Sequence, residues 1–141
     1  MNDEMRDMAR KVATVLPEWP PGVWVWFTHE DGKRWGRRLD GGDELRKESH
    51  RFIYDREIDG EPVTAVWPDL LDGATRGALL DLLPGPWDLH NEHGPDGAHV
   101  RVGYFPGPGS PWLHWAHHPD WKTARGLAVG RALLAHFGGA K

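Results

Sequence analysis

The sequence predicts an α+β fold: an antiparallel sheet with an N-terminal helix, followed by a C-terminal half of αβββα order. Three observations carry this reading. Apolar residues recur at helical spacing in three separate stretches, they alternate with polar residues over short runs elsewhere, and Gly and Pro clusters divide the runs. A chain of 141 residues and 15.9 kDa suits one domain over 1–141, with a helix and β-meander in 1–68 and the αβββα half in 69–141.

Residues 3 to 16 place Met5, Met8, Ala9, Val12 and Leu16 on one helical stripe, with Asp3 and Glu4 in the first turn and Arg10 and Lys11 nearer its end. Pro17, Pro20 and Pro21 stop that helix, since proline removes a donor and biases its predecessor to extended backbone. Val23 to Phe27 reads as a strand apolar on both faces. Asp31-Gly32 signals a hairpin to a second strand around Arg34 to Leu39. His50 to Ile58 alternates, and Asp59-Gly60 turns it into a strand over Pro62 to Trp67.

Asp72 is placed to cap a helix beginning at Gly73, whose stripe is Ala74, Ala78, Leu79, Leu82 and Leu83 and whose stop is Pro84-Gly85-Pro86. Strands follow near Trp87 to Asn91, Ala98 to Phe105 and Trp112 to His117, and Pro119-Asp120 opens a last helix ending at Gly138-Gly139. Gly126 and Gly130 weaken that helix by about 1 kcal/mol each against Ala. Their presence predicts close approach of another backbone on that side.

Composition excludes more than it names. With 17 basic and 21 acidic side chains the formal charge is −4, too small an acidic excess to announce a nucleic acid or a membrane surface. Nine histidines make charge-driven behaviour pH-sensitive. Zero cysteines exclude disulfides, thiolate metal sites and a cysteine nucleophile. The absence of Gln, the scarcity of Asn and the excess of Arg over Lys fit codon bias in a high-GC genome. The acidic start Met1-Asn2-Asp3-Glu4 lacks the order of a secretory signal, and no apolar run reaches membrane-spanning length, so a cytoplasmic protein is expected.

Catalytic signatures are sparse. Gly107-Pro108-Gly109-Ser110-Pro111-Trp112 fails as a nucleophile elbow at its last position and lacks the Gly-Lys-Ser/Thr of a phosphate loop. Ser49-His50 is adjacency on a strand, which sends the two side chains apart. The expectation is therefore no catalytic residues and no cofactor. His90, His93, His114 and His117 compose a four-imidazole metal set on paper. An extended Trp112 to His117 instead points His114 and His117 to opposite faces, and about 13 Å separates His114 from His118 at roughly 3.3 Å per residue. No metal is the expectation, with those histidines as the alternative.

Two resemblances bear on the C-terminal half. The helix Asp72-Gly73-Ala74-Thr75-Arg76-Gly77-Ala78-Leu79-Leu80, with the strands and alanine-rich helix that follow, resembles small phage and prophage proteins of high-GC hosts over roughly the last 70 residues. This implies a phage setting, and a host-cell cytoplasm, without an activity. The αβββα order and Ala124-Arg125-Gly126-Leu127-Ala128-Val129-Gly130-Arg131-Ala132-Leu133 resemble double-stranded RNA-binding domains, as does the loop Gly94-Pro95-Asp96-Gly97-Ala98-His99, displaced by one residue. That family grips phosphates with a lysine cluster at the start of its second helix. Here Lys122 and Arg125 stand there, with Trp121 beside them, and are the residues this resemblance assigns to nucleic acid.

Lys33, Arg34, Trp35, Arg37 and Arg38 make a concentrated basic and aromatic stretch on an acidic chain, and Arg and Trp are enriched at binding hot spots. The expected function is a non-catalytic, phage-type interaction protein that binds and modulates, by inhibition, a host complex such as RNA polymerase or a defence nuclease through this stretch; the alternatives are a double-stranded RNA-binding module and a His-dependent metal-binding protein or enzyme. Its nine Trp are expected to leave aromatic surface for that partner.

Overall fold

The computed structural model describes residues 3–28, 32, 34–48, 51–55, 57, 60, 62–95 and 97–138. Helix α1 (Asp3–Val15) is followed by strands β1 (Trp24–Thr28), β2 (Arg34–Arg38), β3 (Leu45–Glu48), β4 (Arg51–Tyr54) and β5 (Thr64–Pro68). Then come α2 (Gly73–Leu80), β6 (Trp87–Gly94), β7 (Gly97–Tyr104), β8 (Trp112–His118) and α3 (Trp121–Phe137). The α+β class holds, and the αβββα half is present in the expected order. Among the described residues no helix is long and apolar enough to cross a membrane.

The first sheet is antiparallel throughout, in the order β2-β1-β5-β4-β3. A meander would have placed β2 beside β3. Instead the chain passes from one edge to the other after β2, and β5 returns to the centre between β1 and β4. The polar strand β3, Leu-Arg-Lys-Glu, has no apolar alternation and was not expected. Burial explains its chemistry: at an edge only Leu45 is partly covered, and charged side chains there discourage pairing with a second chain. The hairpin signal at Asp31, the Ser49-His50 pair and Ile58-Asp59 lie outside the described residues.

The second sheet has the order β6-β7-β8. Its inner face, Ala98, Val100, Val102 and Tyr104 with Ala116, is buried, and α3 covers β7 and β8. Helix α1 lies between β5 and α3, and α2 rests on α3, so one continuous core joins both sheets. The glycines of α3 make this approach possible. A Cβ on Gly126 would stand 2.5 Å from Met5 Cε and 3.1 Å from the Leu70 carbonyl oxygen, and one on Gly130 would stand 2.4 Å from Met8 Cγ. The approach on that side is mainly by two methionine side chains from α1, and the backbone expected there is present only as the Leu70 carbonyl beside Gly126.

Both expected caps form. Asp72 accepts from Thr75 N at 3.0 Å and Asp120 from Thr123 N at 2.9 Å, and each also takes its threonine hydroxyl at 2.7 Å. Local signals of this kind need no tertiary knowledge.

Candidate functional site

Strand alternation divides the basic stretch of β2. The register Trp24↔Arg38, Trp26↔Gly36 and Thr28↔Arg34 puts Arg34 and Arg38 on one face of the sheet, and Val25↔Arg37 and Phe27↔Trp35 put Arg37 and Trp35 on the other. Lys33 lies outside the described residues. Arg38 holds Asp72 with both terminal nitrogens (2.8 and 3.0 Å) and donates to the Gly22 carbonyl at 2.7 Å. Arg37 holds the buried Asp43 carboxylate (3.3 and 3.4 Å) and approaches Asp40 at 3.5 Å. Both are built into the fold. Trp35 is half-buried against the core, and Arg34, exposed, lies over the Trp67 ring at 5.2 Å.

The remaining candidates are also dispersed. Arg125 donates to Asn91 Oδ1 at 3.1 Å and stacks on Trp121 at 5.2 Å, which ties it to β6 and leaves Lys122 exposed at the start of α3. The histidines split as strand geometry foresaw. His90 and His117 stand on the outer face of the second sheet, whereas His93 packs edge-on to Trp121 (4.1 Å) and His114 stacks on Tyr104 (5.8 Å) on the inner face. Among the described residues no three His, Asp or Glu side chains converge as the ligands of a metal ion.

Sequence reading passed over the outer face of β6-β7-β8. Cross-strand register arranges it in three rows: Asp88, Gly103 and Leu113, then His90, Arg101 and Trp115, then Glu92, His99 and His117. Arg101 bridges the first two, reaching Asp88 at 3.4 Å and lying over the Trp115 ring at 5.7 Å. His99 and His117 stack at 4.2 Å, and His90 meets Glu92 at 3.1 Å. Gly103 leaves a dip filled from both sides, since a Cβ there would meet Asp88 Oδ1 at 2.7 Å and Leu113 Cδ2 at 3.1 Å.

Apolar exposure concentrates at one end of this sheet. Among the described residues the large hydrophobic side chains that stand exposed are Phe105 (36%), Trp112 (52%), Leu113 (45%) and Trp115 (46%). Leu113 and Trp115 share the outer face, while Trp112 stands at the sheet's end against Tyr104 (5.4 Å). The backbone beneath is held firmly: Arg131 of α3 donates to the Trp115 carbonyl, and Phe105 N donates to the Pro86 carbonyl at 3.1 Å. The signal in the sequence was Trp112-Leu113-His114-Trp115, whose alternation alone does not say which face is covered. Compared with known proteins, the chain matches no family model, no curated protein and no solved structure.

Proposed function

We infer that the chain is a non-catalytic protein-interaction module whose contact surface is the outer face of β6-β7-β8 with the exposed Phe105–Trp115 end. One observation carries this reading: among the described residues the exposed large apolar side chains fall within eleven residues of chain, with Leu113 and Trp115 together on the outer face and Phe105 and Trp112 at the adjoining end of the sheet. Scattered singles are ordinary on a protein surface, whereas a contiguous patch rimmed by polar groups marks association. The rim is supplied by Asp88, Glu92, His90, His99 and His117, and Arg101 is already oriented by Asp88 and Trp115, so less side-chain freedom is lost when a partner arrives. Arg and Trp in such a setting are typical hot-spot chemistry.

A duplex-RNA module has less support, because Arg125 is engaged with Asn91 and Trp121. The partner implied by the phage resemblance is a host complex, with RNA polymerase and a defence nuclease as the first baits. Tagged protein drawn through host lysate should retain a specific partner. Trp115→Ala with Leu113→Ser should lose it while keeping the wild-type circular dichroism spectrum. Retention by the double variant would overturn the surface, and substrate turnover by purified protein would overturn the non-catalytic reading.

A further inference from the structure

We propose that the hollow between α1 and the β1-β2-β5 face binds a small organic oxyanion, a carboxylate or phosphoryl head group carried on a flat apolar body. The hollow has a volume of about 260 Å³ and is lined by Arg6, Trp26, Arg34, Trp67, Asp69 and Leu71. It exists because β1 and β5 slip register between Trp26 and Phe27: Trp26 faces Trp67, but Phe27 faces Ala65. The extra residue, Val66, turns Trp67 onto the same face as Trp26, the re-aiming that a bulge produces.

Three guanidinium groups gather around the buried Trp67. Those of Arg10 and Arg34 lie over its ring at 5.1 and 5.2 Å, and Arg6, one helical turn before Arg10, lines the hollow. Neither Arg10 nor Arg34 has a hydrogen-bond or carboxylate partner among the described residues, in contrast to Arg37 and Arg38 on the same strand as Arg34. A guanidinium held over a ring by a cation–π contact keeps N–H groups available for a bidentate acceptor. Among the described residues the carboxylate lining the hollow is Asp69, which accepts from Leu71 N at 3.0 Å through one oxygen. Arg6 pairs with the exposed Asp3 at 3.9 Å, and Arg10 lies over Trp67 beside the lining residues, so three positive charges stand against two negative ones on a chain of net −4, a local field that an anion relieves. Trp26 and Leu71 supply the apolar wall for the body of such a ligand, and the volume, near the lower end for ligand pockets, suits one ring.

The test is a titration of the isotopically labelled full chain with benzoate, phenyl phosphate and the neutral benzyl alcohol, followed by the indole N–H resonances, with Trp26→Phe identifying one of them. Benzoate or phenyl phosphate should shift the Trp26 resonance saturably at millimolar concentration or below, and the tighter of the two names the head group. Arg34→Gln, at an exposed edge position, should weaken that binding about tenfold or more, and Arg10→Gln should weaken it independently. Arg46→Gln, which removes the same charge at the far edge of the sheet, should leave it within about twofold. No saturable shift with either anion up to about 10 mM would overturn the proposal, as would equal binding of benzyl alcohol or equal losses in Arg46→Gln and Arg34→Gln.

Discussion

Arg38 closes on Asp72 with two parallel contacts, Nη1 to Oδ2 at 2.8 Å and Nη2 to Oδ1 at 3.0 Å, and the same carboxylate caps α2. The capped Thr75 accepts through its hydroxyl from Trp24 N at 2.8 Å, so Arg38, Asp72, Thr75 and Trp24 form one path from the edge of the first sheet to the helix that opens the αβββα half. The Arg38 guanidinium, with the Thr75 hydroxyl and N–H, holds the Asp72 carboxyl well below the usual carboxylate range, against the opposing effect of burial.

Asp72→Ala should therefore destabilise the protein more than Asp72→Asn, because Asn still caps a helix while Ala does not; the lost cap alone is worth about 1 kcal/mol. A depressed carboxyl pKa gives stability that is fully present above the unfolded value near 3.8 and is lost as pH falls through the lower folded value. Urea denaturation from pH 7 downward should show the gap between wild type and Asp72→Asn shrinking only below about pH 4. A gap unchanged into that range would rule out Asp72 as its source.

Two buried tyrosines should respond oppositely to loss of their hydroxyls. Tyr54 donates to Asp43 Oδ1 at 2.5 Å, and Asp43 also accepts from Asp40 N at 2.9 Å and from Arg37. Burial alone would raise the Asp43 pKa, but these hydrogen bonds outweigh it and lower it. Tyr104 is fully buried, and its hydroxyl has no hydrogen-bond partner among the described residues. Tyr54→Phe should cost about 1 kcal/mol, whereas Tyr104→Phe, which removes a desolvated and unpaired hydroxyl, should be neutral or stabilising. Thermal midpoints of the two variants decide it, and a lower midpoint for Tyr104→Phe would mean that an ordered water serves that oxygen.

What could be read from the sequence was local. The α1 stripe, the caps at Asp72 and Asp120, and the opposed directions of His114 and His117 each depend on spacing within a few residues. Sheet order was not legible, because β5 finds its place between β1 and β4 through contacts distant in sequence, and β3 carries no apolar pattern. The basic stretch was visible as composition, but the carboxylates that engage Arg38 and Arg37 lie 34 and 6 residues further on, so its division into built-in and available arginines was not. The hollow beside Trp67 needs α1, β1, β2 and a register slip at once, and no single segment announces it.

Gly126→Ala should destabilise despite its gain in helix propensity of about 1 kcal/mol. The new methyl would meet Met5, which is fully buried, and the Leu70 carbonyl, which is backbone and yields little. Overpacking of this kind costs about 1–3 kcal/mol, which exceeds the propensity gain in most of that range. Met5→Ala should cost less beside Gly126→Ala than in the wild type, because it also removes the clash, so a double-mutant cycle should give favourable coupling between the two changes. Strict additivity would place the strain elsewhere.

His114 should make the fold weaken in mild acid. Its ring stacks on Tyr104, its Nε2 is buried without a hydrogen-bond partner among the described residues, and desolvation lowers its pKa below the ordinary value of 6.5. For a base with a depressed folded pKa, the unfolded chain takes up the proton first, so stability is lost as pH falls from about 6.5 toward the folded value and stays low beneath it. His114→Phe keeps a ring on Tyr104 and removes the titration. Denaturation at pH 7.5, 6.5 and 5.5 should show the variant gaining on the wild type at each acid step, with other titrating groups common to both proteins. A difference that stays constant across the three pH values would exclude His114 as the source of acid sensitivity.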